Sequence, residues 1–301
     1  MLPNKHKKKA KVEANIFETL FRLSMILSGL ILFVIIFFIF ISGVPALRDY
    51  GFIEMITSSN WAPSANPQQF GLLYMILGTL VSTFFAMLVA IPIGVLCAVF
   101  LSKMANKKLR KSIMFFVEIL AGVPSVIIGF FVLKTVVSLI YELNQHTPGV
   151  SGSSLLAAIV VLTLMSLPTI ITVTVTSLDA VNKSYNEASL ALGANKIQTI
   201  FKVELRAARH GIMAAIVLGA GRVIGETMAV MLVAGNAVNM PVDLLMPFRT
   251  LTANIATEMN YASGLHQSAL YATGIILFIF IMILNLVLLF VIKRGDANNA
   301  G

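Results

Sequence analysis

Six long apolar runs constrain this 301-residue chain more than any other feature of its sequence. A helix rises about 1.5 Å per residue, so about 20 apolar residues are enough to cross a bilayer. Each run reaches that length, and 58% of all residues are hydrophobic against 12% charged. The sequence therefore predicts an all-α, polytopic membrane protein with six transmembrane helices. The predicted spans are residues 24–44, 70–101, 112–140, 153–177, 211–235 and 268–292.

The distribution of Lys and Arg indicates how these spans are oriented. With the N-terminus inside, eighteen of the 22 basic residues fall on the inner side, and only Arg48 and Arg249 fall outside. Such an excess predicts that both termini are cytoplasmic. The net charge of +9 comes from these loop clusters, so it does not indicate nucleic-acid binding. The predicted organisation is a basic cytoplasmic arm (1–23), a first transmembrane helix (24–44), an extracytoplasmic loop (45–69), a transmembrane domain (70–292) and a cytoplasmic tail (293–301).

Familiar catalytic and cofactor motifs are absent from the sequence. No Gly-Lys-Ser/Thr phosphate loop occurs, so the chain cannot hydrolyse ATP by that route. The four His residues are scattered without metal-ligand spacing, and a single cysteine, Cys97, excludes a disulfide framework. We therefore expect no catalytic residue, metal or cofactor on this chain.

The polar segment 184–205 predicts a pair of short helices on a cytoplasmic loop. Ser184 and Glu187 have the spacing of a capping box, Gly193 is typical of a helix stop, and a second helical pattern starts near Asn195. Small residues on the first helix would let another protein approach its backbone closely, which favours a docking element. The alternative is an amphipathic pair that lies on the membrane surface or under its own spans. The candidate docking residues are Glu187, Ala188, Ala191 and Gly193.

Two opposite charges lie inside the fifth predicted span, where ionisable side chains are costly and usually functional. Arg222 is near the expected midplane, and Glu226 follows one turn later, on a face where the two could pair. We interpret them as residues that line or gate a pathway, and the alternative is a pair that only neutralises itself. Gly221 and Gly225 form a small-xxx-small pattern, which predicts close packing against another helix.

Two further polar residues lie at a similar depth and could meet Arg222 or another helix. Glu118 is six residues into the third span, and Asn285 is near the inner end of the last. Both are candidates for the pathway or its gate. Proline within three spans, at Pro92, Pro124 and Pro168, predicts kinks that leave room for such a pathway.

The sequence also offers one enzymatic alternative. Residues 149–152 resemble the GxSG motif of rhomboid intramembrane proteases, with Ser151 as nucleophile and His266 as its partner. Both residues lie at span edges, whereas a Ser-His dyad must sit together in a wet cavity.

The segment 187–194, followed by Ile200, Val203, Leu205 and Gly211, resembles the EAA coupling loop of ABC-importer permeases. Ser189 stands where Ala is usual, and Arg206 stands where Pro often follows Leu. Other stretches resemble the permeases of high-affinity phosphate importers (Pst systems), and the C-type subunit more closely than the A-type. These stretches are residues 70–73, 78–80, 91–94, 118–125, 221–230 and 234–236.

The resemblance implies a type I ABC-importer permease fold in which the coupling helices sit in a cleft of a separate ATPase. It implies a heterodimer with an A-type permease, an ATPase dimer that binds ATP and Mg²⁺, and an extracytoplasmic phosphate-binding protein. The chain itself would lie in the cytoplasmic membrane and bind no nucleic acid. A permease for molybdate or sulfate is an alternative that the sequence does not exclude, because one Arg does not discriminate among tetrahedral anions. A channel or carrier without an ATPase is a further alternative, although the sequence shows no internal repeat.

Overall fold

A computed structural model describes residues 4–147 and 150–297, and most of that chain is helical. In chain order the helices are α1 (Asn4–Ala46), α2 (Phe52–Thr57), α3 (Leu73–Val99), α4 (Lys107–Gly122), α5 (Ser125–Val132), α6 (Ser138–Leu143), α7 (Leu155–Asp179), α8 (Lys183–Ala191), α9 (Lys196–Gln198), α10 (Leu205–Ala207), α11 (Arg209–Gly225), α12 (Met228–Val233), α13 (Leu251–Glu258) and α14 (Gly264–Ala297). Four π-helical segments extend or join them, at Leu47–Gly51, Phe100–Met104, Leu133–Val137 and Thr199–Glu204.

The fold agrees with the predicted all-α membrane protein. Within the described residues, five helical segments are long and apolar enough to cross a bilayer, and a bent pair would add a sixth. The tight two-stranded hairpin of β1 (Trp61–Ala62) and β2 (Gln69–Phe70) pairs Trp61 with Phe70. We call residues 47–72 and 234–263 the hairpin end of the bundle, and residues 100–111 and 179–210 the basic end.

Helices α3 and α7 form the centre of the bundle. A Cβ on Gly94 of α3 would lie 2.7 Å from the Ile170 side chain of α7, so the helices approach closely. Thr163 donates a hydrogen bond to the Ala86 carbonyl across the same interface, at 3.3 Å. Helix α11 packs against the same residue of α7, since a Cβ on Gly219 would lie 2.9 Å from the Ile170 side chain. Small residues and tight side-chain packing hold these helices together, as in membrane helix bundles generally.

Two of the predicted spans are broken within the membrane domain. The third ends its first half at Gly122 and restarts at Ser125, after Pro124, whose ring cannot continue the helix. The fifth ends its first half at Gly225 and restarts at Met228. The second halves, α5 and α12, pack on each other, since a Cβ on Gly129 would lie 2.8 Å from the Ala229 Cα. By contrast, α3 and α7 continue through Pro92 and Pro168.

The first and last long helices pack together towards the hairpin end. Ala46, Met55, Phe70, Leu251 and Ala269 are fully buried there in one apolar cluster. Residues 17–35 of α1 are all exposed, as expected for a helix in lipid. Helix α1 approaches α14 closely at Gly43, where a Cβ would lie 2.8 Å from the Ala272 backbone nitrogen.

This contact predicts that Gly43→Val destabilises the protein. A branched side chain at Gly43 would press on the backbone of α14, which cannot move aside as a side chain can. We expect the free energy of unfolding to fall by about 1–3 kcal/mol, measured by SDS titration in mixed micelles.

Gly29→Val is the matched control because it makes the same change in the same helix. A Cβ at Gly29 meets no neighbouring atom within 4 Å among the described residues. Its effect should stay below about 0.5 kcal/mol, and equal effects of the two variants would contradict the packing.

Candidate functional site

The break between α11 and α12 surrounds the intramembrane charges. Arg222 lies in the last turn of α11, is partly buried, and makes no hydrogen bond or ion pair among the described residues. Glu226 follows the end of the helix in extended backbone, with φ −68° and ψ 124°. Its Oε1 accepts a hydrogen bond from the Ala229 N–H at 3.1 Å and so caps α12. Arg222 and Glu226 could have paired on a continuous helix, but they form no ion pair here because α11 ends at Gly225.

Threonine side chains satisfy the backbone carbonyls freed at this break. Thr227 donates to the Gly225 carbonyl, and the buried Thr252 of α13 donates to the Glu226 carbonyl, each at 3.1 Å. Irregular backbone at membrane depth is tolerated only where it is buried in protein or lines a wet cavity. The threonine hydroxyls therefore stabilise the backbone where the span is interrupted.

The glycines beside Arg222 face open space within this chain. Apart from its own helix backbone, a Cβ at Gly221 or Gly225 would meet no atom within 4 Å among the described residues. The predicted close packing at Gly221 and Gly225 is wrong for contacts inside the chain, and Gly219 makes the close helix contact instead. The face that carries Arg222 is thus free for an ion or for another subunit.

The other two predicted pathway residues are not brought to Arg222 by contacts in this chain. Glu118 is exposed on α4, one turn before the break at Pro124. Asn285 is partly buried on α14. Neither makes a hydrogen bond or ion pair among the described residues. Their roles stay predictions.

At the basic end, segment 184–205 forms the predicted pair of short helical elements with different caps. Helix α8 begins two residues earlier than the capping-box pattern indicates, and Asn182 caps it by accepting from the Ser184 N–H at 3.0 Å. Glu187 is therefore inside the helix, and the predicted capping box at Ser184 is wrong. The stop at Gly193 is confirmed by its φ of +85°, and Asn195 starts the second element through a capping box with Gln198.

The four candidate docking residues, Glu187, Ala188, Ala191 and Gly193, are all exposed. Large apolar side chains beside them are exposed as well, and Leu192 has 89% of its surface free. We call this surface the α8 face: residues 187, 188, 190–193, 197 and 201. Several large apolar side chains exposed near one another in sequence are typical of an interaction surface.

Ser189 does not belong to the α8 face. It is buried against the Thr199–Glu204 segment, and its hydroxyl forms a 3.0 Å hydrogen bond with the buried Thr199 hydroxyl. The replacement of the usual Ala by Ser thus joins the two helical elements to each other.

A buried ion pair at the basic end was missed by the sequence reasoning. Lys103 Nζ lies 3.2 Å from Glu204 Oε1, and Glu204 is only 4% exposed. The residues are 101 positions apart, so no sequence pattern pairs them. The only signal was an acidic residue between the apolar positions 203 and 205 of the second element.

A second cluster, at the hairpin end, was also missed. Glu258 accepts from Arg249 at 2.6 Å and from the Trp61 indole at 2.9 Å, and it contacts His266 at 2.9 Å. Arg249 also donates to the Asn254 side chain at 2.9 Å. This cluster ties the β-hairpin, α13 and the start of α14 together.

The protease alternative finds no support in the described residues. His266 is held by Glu258, and Ser151 contacts the Ser153 carbonyl at 3.5 Å, so no hydrogen bond joins Ser151 to His266. Gly149 of the proposed motif lies outside the described residues.

A family model described as "Binding-protein-dependent transport system inner membrane component" matches residues 90–296. A Mesorhizobium japonicum protein named phosphate transport system permease protein PstC is 33% identical over 299 residues, covering 94% of this chain and 90% of that protein. A Bacillus subtilis protein named probable ABC transporter permease protein YqgH is 35% identical over 238 residues, covering 77% of this chain and 76% of that protein.

Solved transporter structures share the fold at low sequence identity. A bacterial ABC transporter involved in the import of alginate aligns with a TM-score of 0.65 and 16% identity, over 94% of this chain and 99% of that one. A MetNI methionine ABC transporter in an inward-facing conformation aligns with a TM-score of 0.54 and 22% identity, over 74% of this chain and 94% of that one. These likenesses concern the fold alone.

The hairpin-end cluster predicts that Glu258→Ala is strongly destabilising. Removing one partner of a buried pair leaves the other charge uncompensated, here Arg249, whose side chain is 17% exposed. We expect a loss of about 3 kcal/mol in the free energy of unfolding, measured by SDS titration in mixed micelles.

Glu54→Ala is the control because it removes an exposed carboxylate from the same end of the bundle. Its effect should stay within about 0.5 kcal/mol. A Glu258→Ala protein as stable as the Glu54→Ala protein would contradict the importance of the cluster.

Proposed function

Because this chain belongs to the family of binding-protein-dependent transport system inner membrane components, we propose that it is the permease subunit of an ATP-driven importer of inorganic phosphate. The observation that carries the proposal is the match along 94% of the chain to a protein named as a phosphate permease. The site geometry supports it independently, since it offers an unpaired cation inside the membrane domain and an exposed docking face outside it.

Arg222 is the proposed contact for the anion. A guanidinium offers planar donors to a tetrahedral oxyanion, and no carboxylate of the described chain occupies those donors. The break after Gly225 and the open space at Gly221 give an ion room to approach. Glu226 borders the same opening and limits how tightly an anion is held. Because the ion must leave again, a site of moderate strength suits transport.

Glu118 and Asn285 are proposed as further residues of the pathway or its gate. Glu118 precedes the α4–α5 break by one turn, in the same relation that Arg222 has to the α11–α12 break. Its exposure leaves it available to a neighbouring subunit. The two breaks would then face the pathway together, because α5 and α12 pack on each other.

The α8 face is the proposed contact with the motor. Its large apolar side chains, such as Leu192 at 89% and Ile197 at 54% exposure, need a partner surface to cover them. We place this basic end, and with it both termini, in the cytoplasm, where an ATPase dimer would bind ATP and Mg²⁺. This chain would contribute no cofactor of its own.

The complete importer would contain three further components. An A-type permease would form a heterodimer with this chain, a phosphate-binding protein would deliver the ion at the hairpin end, and the ATPase would drive alternating access. Selection among oxyanions would rest mainly on the binding protein, since Arg222 alone recognises any of them.

Uptake of labelled phosphate by proteoliposomes that carry the four components tests the function. We expect uptake that depends on ATP and that excess unlabelled phosphate abolishes. Excess molybdate or sulfate should change the uptake rate by no more than about twofold. If molybdate or sulfate competes more strongly, the chain is a permease for that anion. If uptake proceeds without the ATPase, the chain is a channel or carrier.

In the same assay, Arg222→Ala should lower the rate of phosphate uptake by about tenfold or more, because a desolvated charged contact with the ion is lost. Arg48→Ala, which removes an exposed Arg at the hairpin end, should leave the rate within about twofold. An unchanged rate in Arg222→Ala would remove Arg222 from the pathway and leave the transport function itself intact.

A further inference from the structure

The buried pair of Lys103 and Glu204 joins four chain segments at one point. Lys103 belongs to the segment that ends α3, and its Nζ donates to the Leu178 carbonyl of α7 at 3.0 Å. The same ammonium contacts Glu204 at 3.2 Å, and Asn186 of α8 donates to the same Glu204 oxygen at 3.2 Å. The ends of α3 and α7 are thus connected to both elements of segment 184–205.

Segment 184–205 is itself a coherent unit. The hydrogen bond between the buried hydroxyls of Ser189 and Thr199 joins α8 to the Thr199–Glu204 segment. The chain then bends by 69° between Lys196–Ala207 and Arg209–Gly225. Because a sharp bend separates this unit from α11, the covalent link to α11 alone would transmit its motion poorly. Side-chain contacts with other helices are needed to pass that motion into the bundle.

The apolar contacts at this junction are less directional than the ion pair. Val99, Leu178, Ile200 and Ala208 pack together there, and such side chains can slide past one another. A buried ion pair has a single favourable geometry, since separating the charges exposes each to a low-dielectric surrounding. Glu204 already has one oxygen, Oε2, without a partner among the described residues, so losing Lys103 would leave its charge uncompensated.

We propose that Lys103 and Glu204 form a strut that transmits movement of the α8 unit to the ends of α3 and α7. This inference rests on the proposed function, in which a motor binds the α8 face. The two residues touch neither the ion nor the motor in this arrangement and are positioning residues. Their loss should uncouple ATP hydrolysis from transport while the motor stays bound.

The test uses the complete reconstituted importer and measures phosphate moved per ATP hydrolysed. Glu204→Gln keeps the shape of the side chain and Lys103→Met keeps most of the stem, but each removes one charge. We expect either variant to retain the ATPase on co-purification and to lower the ratio about fivefold or more. Lys103→Arg keeps the charge and should retain at least about half of the ratio.

Arg110→Met with Asp179→Asn is the matched control. That pair joins α4 to the end of α7 at the same basic end, and each side chain is 37% exposed, but it does not involve segment 184–205. The control variant should move phosphate per ATP hydrolysed at a ratio within about twofold of the unmodified importer. If the control lowers the ratio as much as Glu204→Gln does, the strut is wrong, because breaking any ion pair at this end would then uncouple the importer.

A buried charge left alone can also impair assembly. The double variant Lys103→Met with Glu204→Leu removes both charges and keeps an apolar filling, which is often tolerated. It should assemble and still be uncoupled. A wild-type ratio in this double variant, or in Glu204→Gln, would overturn the proposal.

The variant Leu192→Asp tests the proposed docking site independently of the strut. A charge on the α8 face should release the ATPase on co-purification, whereas Val242→Asp, at a comparably exposed position of the hairpin end, should not. If Leu192→Asp keeps the ATPase, the proposed docking face is wrong. The ratio in Glu204→Gln decides about the strut in either case.

Discussion

The need to satisfy every backbone hydrogen bond inside a bilayer governs this structure. It forces the apolar runs into helices and makes any interruption costly. The break after Gly225 is therefore informative, because Thr227, Thr252 and the capping carboxylate of Glu226 provide partners for the freed backbone groups. These partners offset the cost of interrupting the helix, and the break lies one turn after Arg222.

The charges of the chain fall into two classes that follow from their surroundings. At the two ends of the bundle, buried charges are paired: Lys103 with Glu204 and Arg249 with Glu258. Inside the membrane domain, Arg222 has no such partner in the described chain. Paired charges fix the geometry of the ends, whereas an unpaired charge in the middle is available to an anion or to a second subunit. The two kinds of charge thus differ in pairing, and burial alone does not distinguish them.

Local sequence signals were reliable where short-range physics decides and misleading where several local solutions compete. Gly193 ends its helix as predicted because only a residue without Cβ adopts its positive φ easily. Ser184 and Glu187 have capping-box spacing, yet Asn182 takes the cap two residues earlier. Gly221 and Gly225 have the spacing of a packing motif, yet Gly219 makes the contact. Which of several suitable residues is used depends on the neighbouring helix.

The sequence by itself determined the helical membrane fold, the approximate spans and the segment that carries the α8 face, because hydropathy and caps act over a few residues. Only the tertiary structure decided that α11 ends before Glu226, so that Arg222 and Glu226 separate. It also decided that Lys103 meets Glu204, since such partners are brought together by the packing of α3, α7 and α8 and by nothing in their local sequence. Pairing across a bundle depends on the relative position of whole helices, and that is a property of the packed chain.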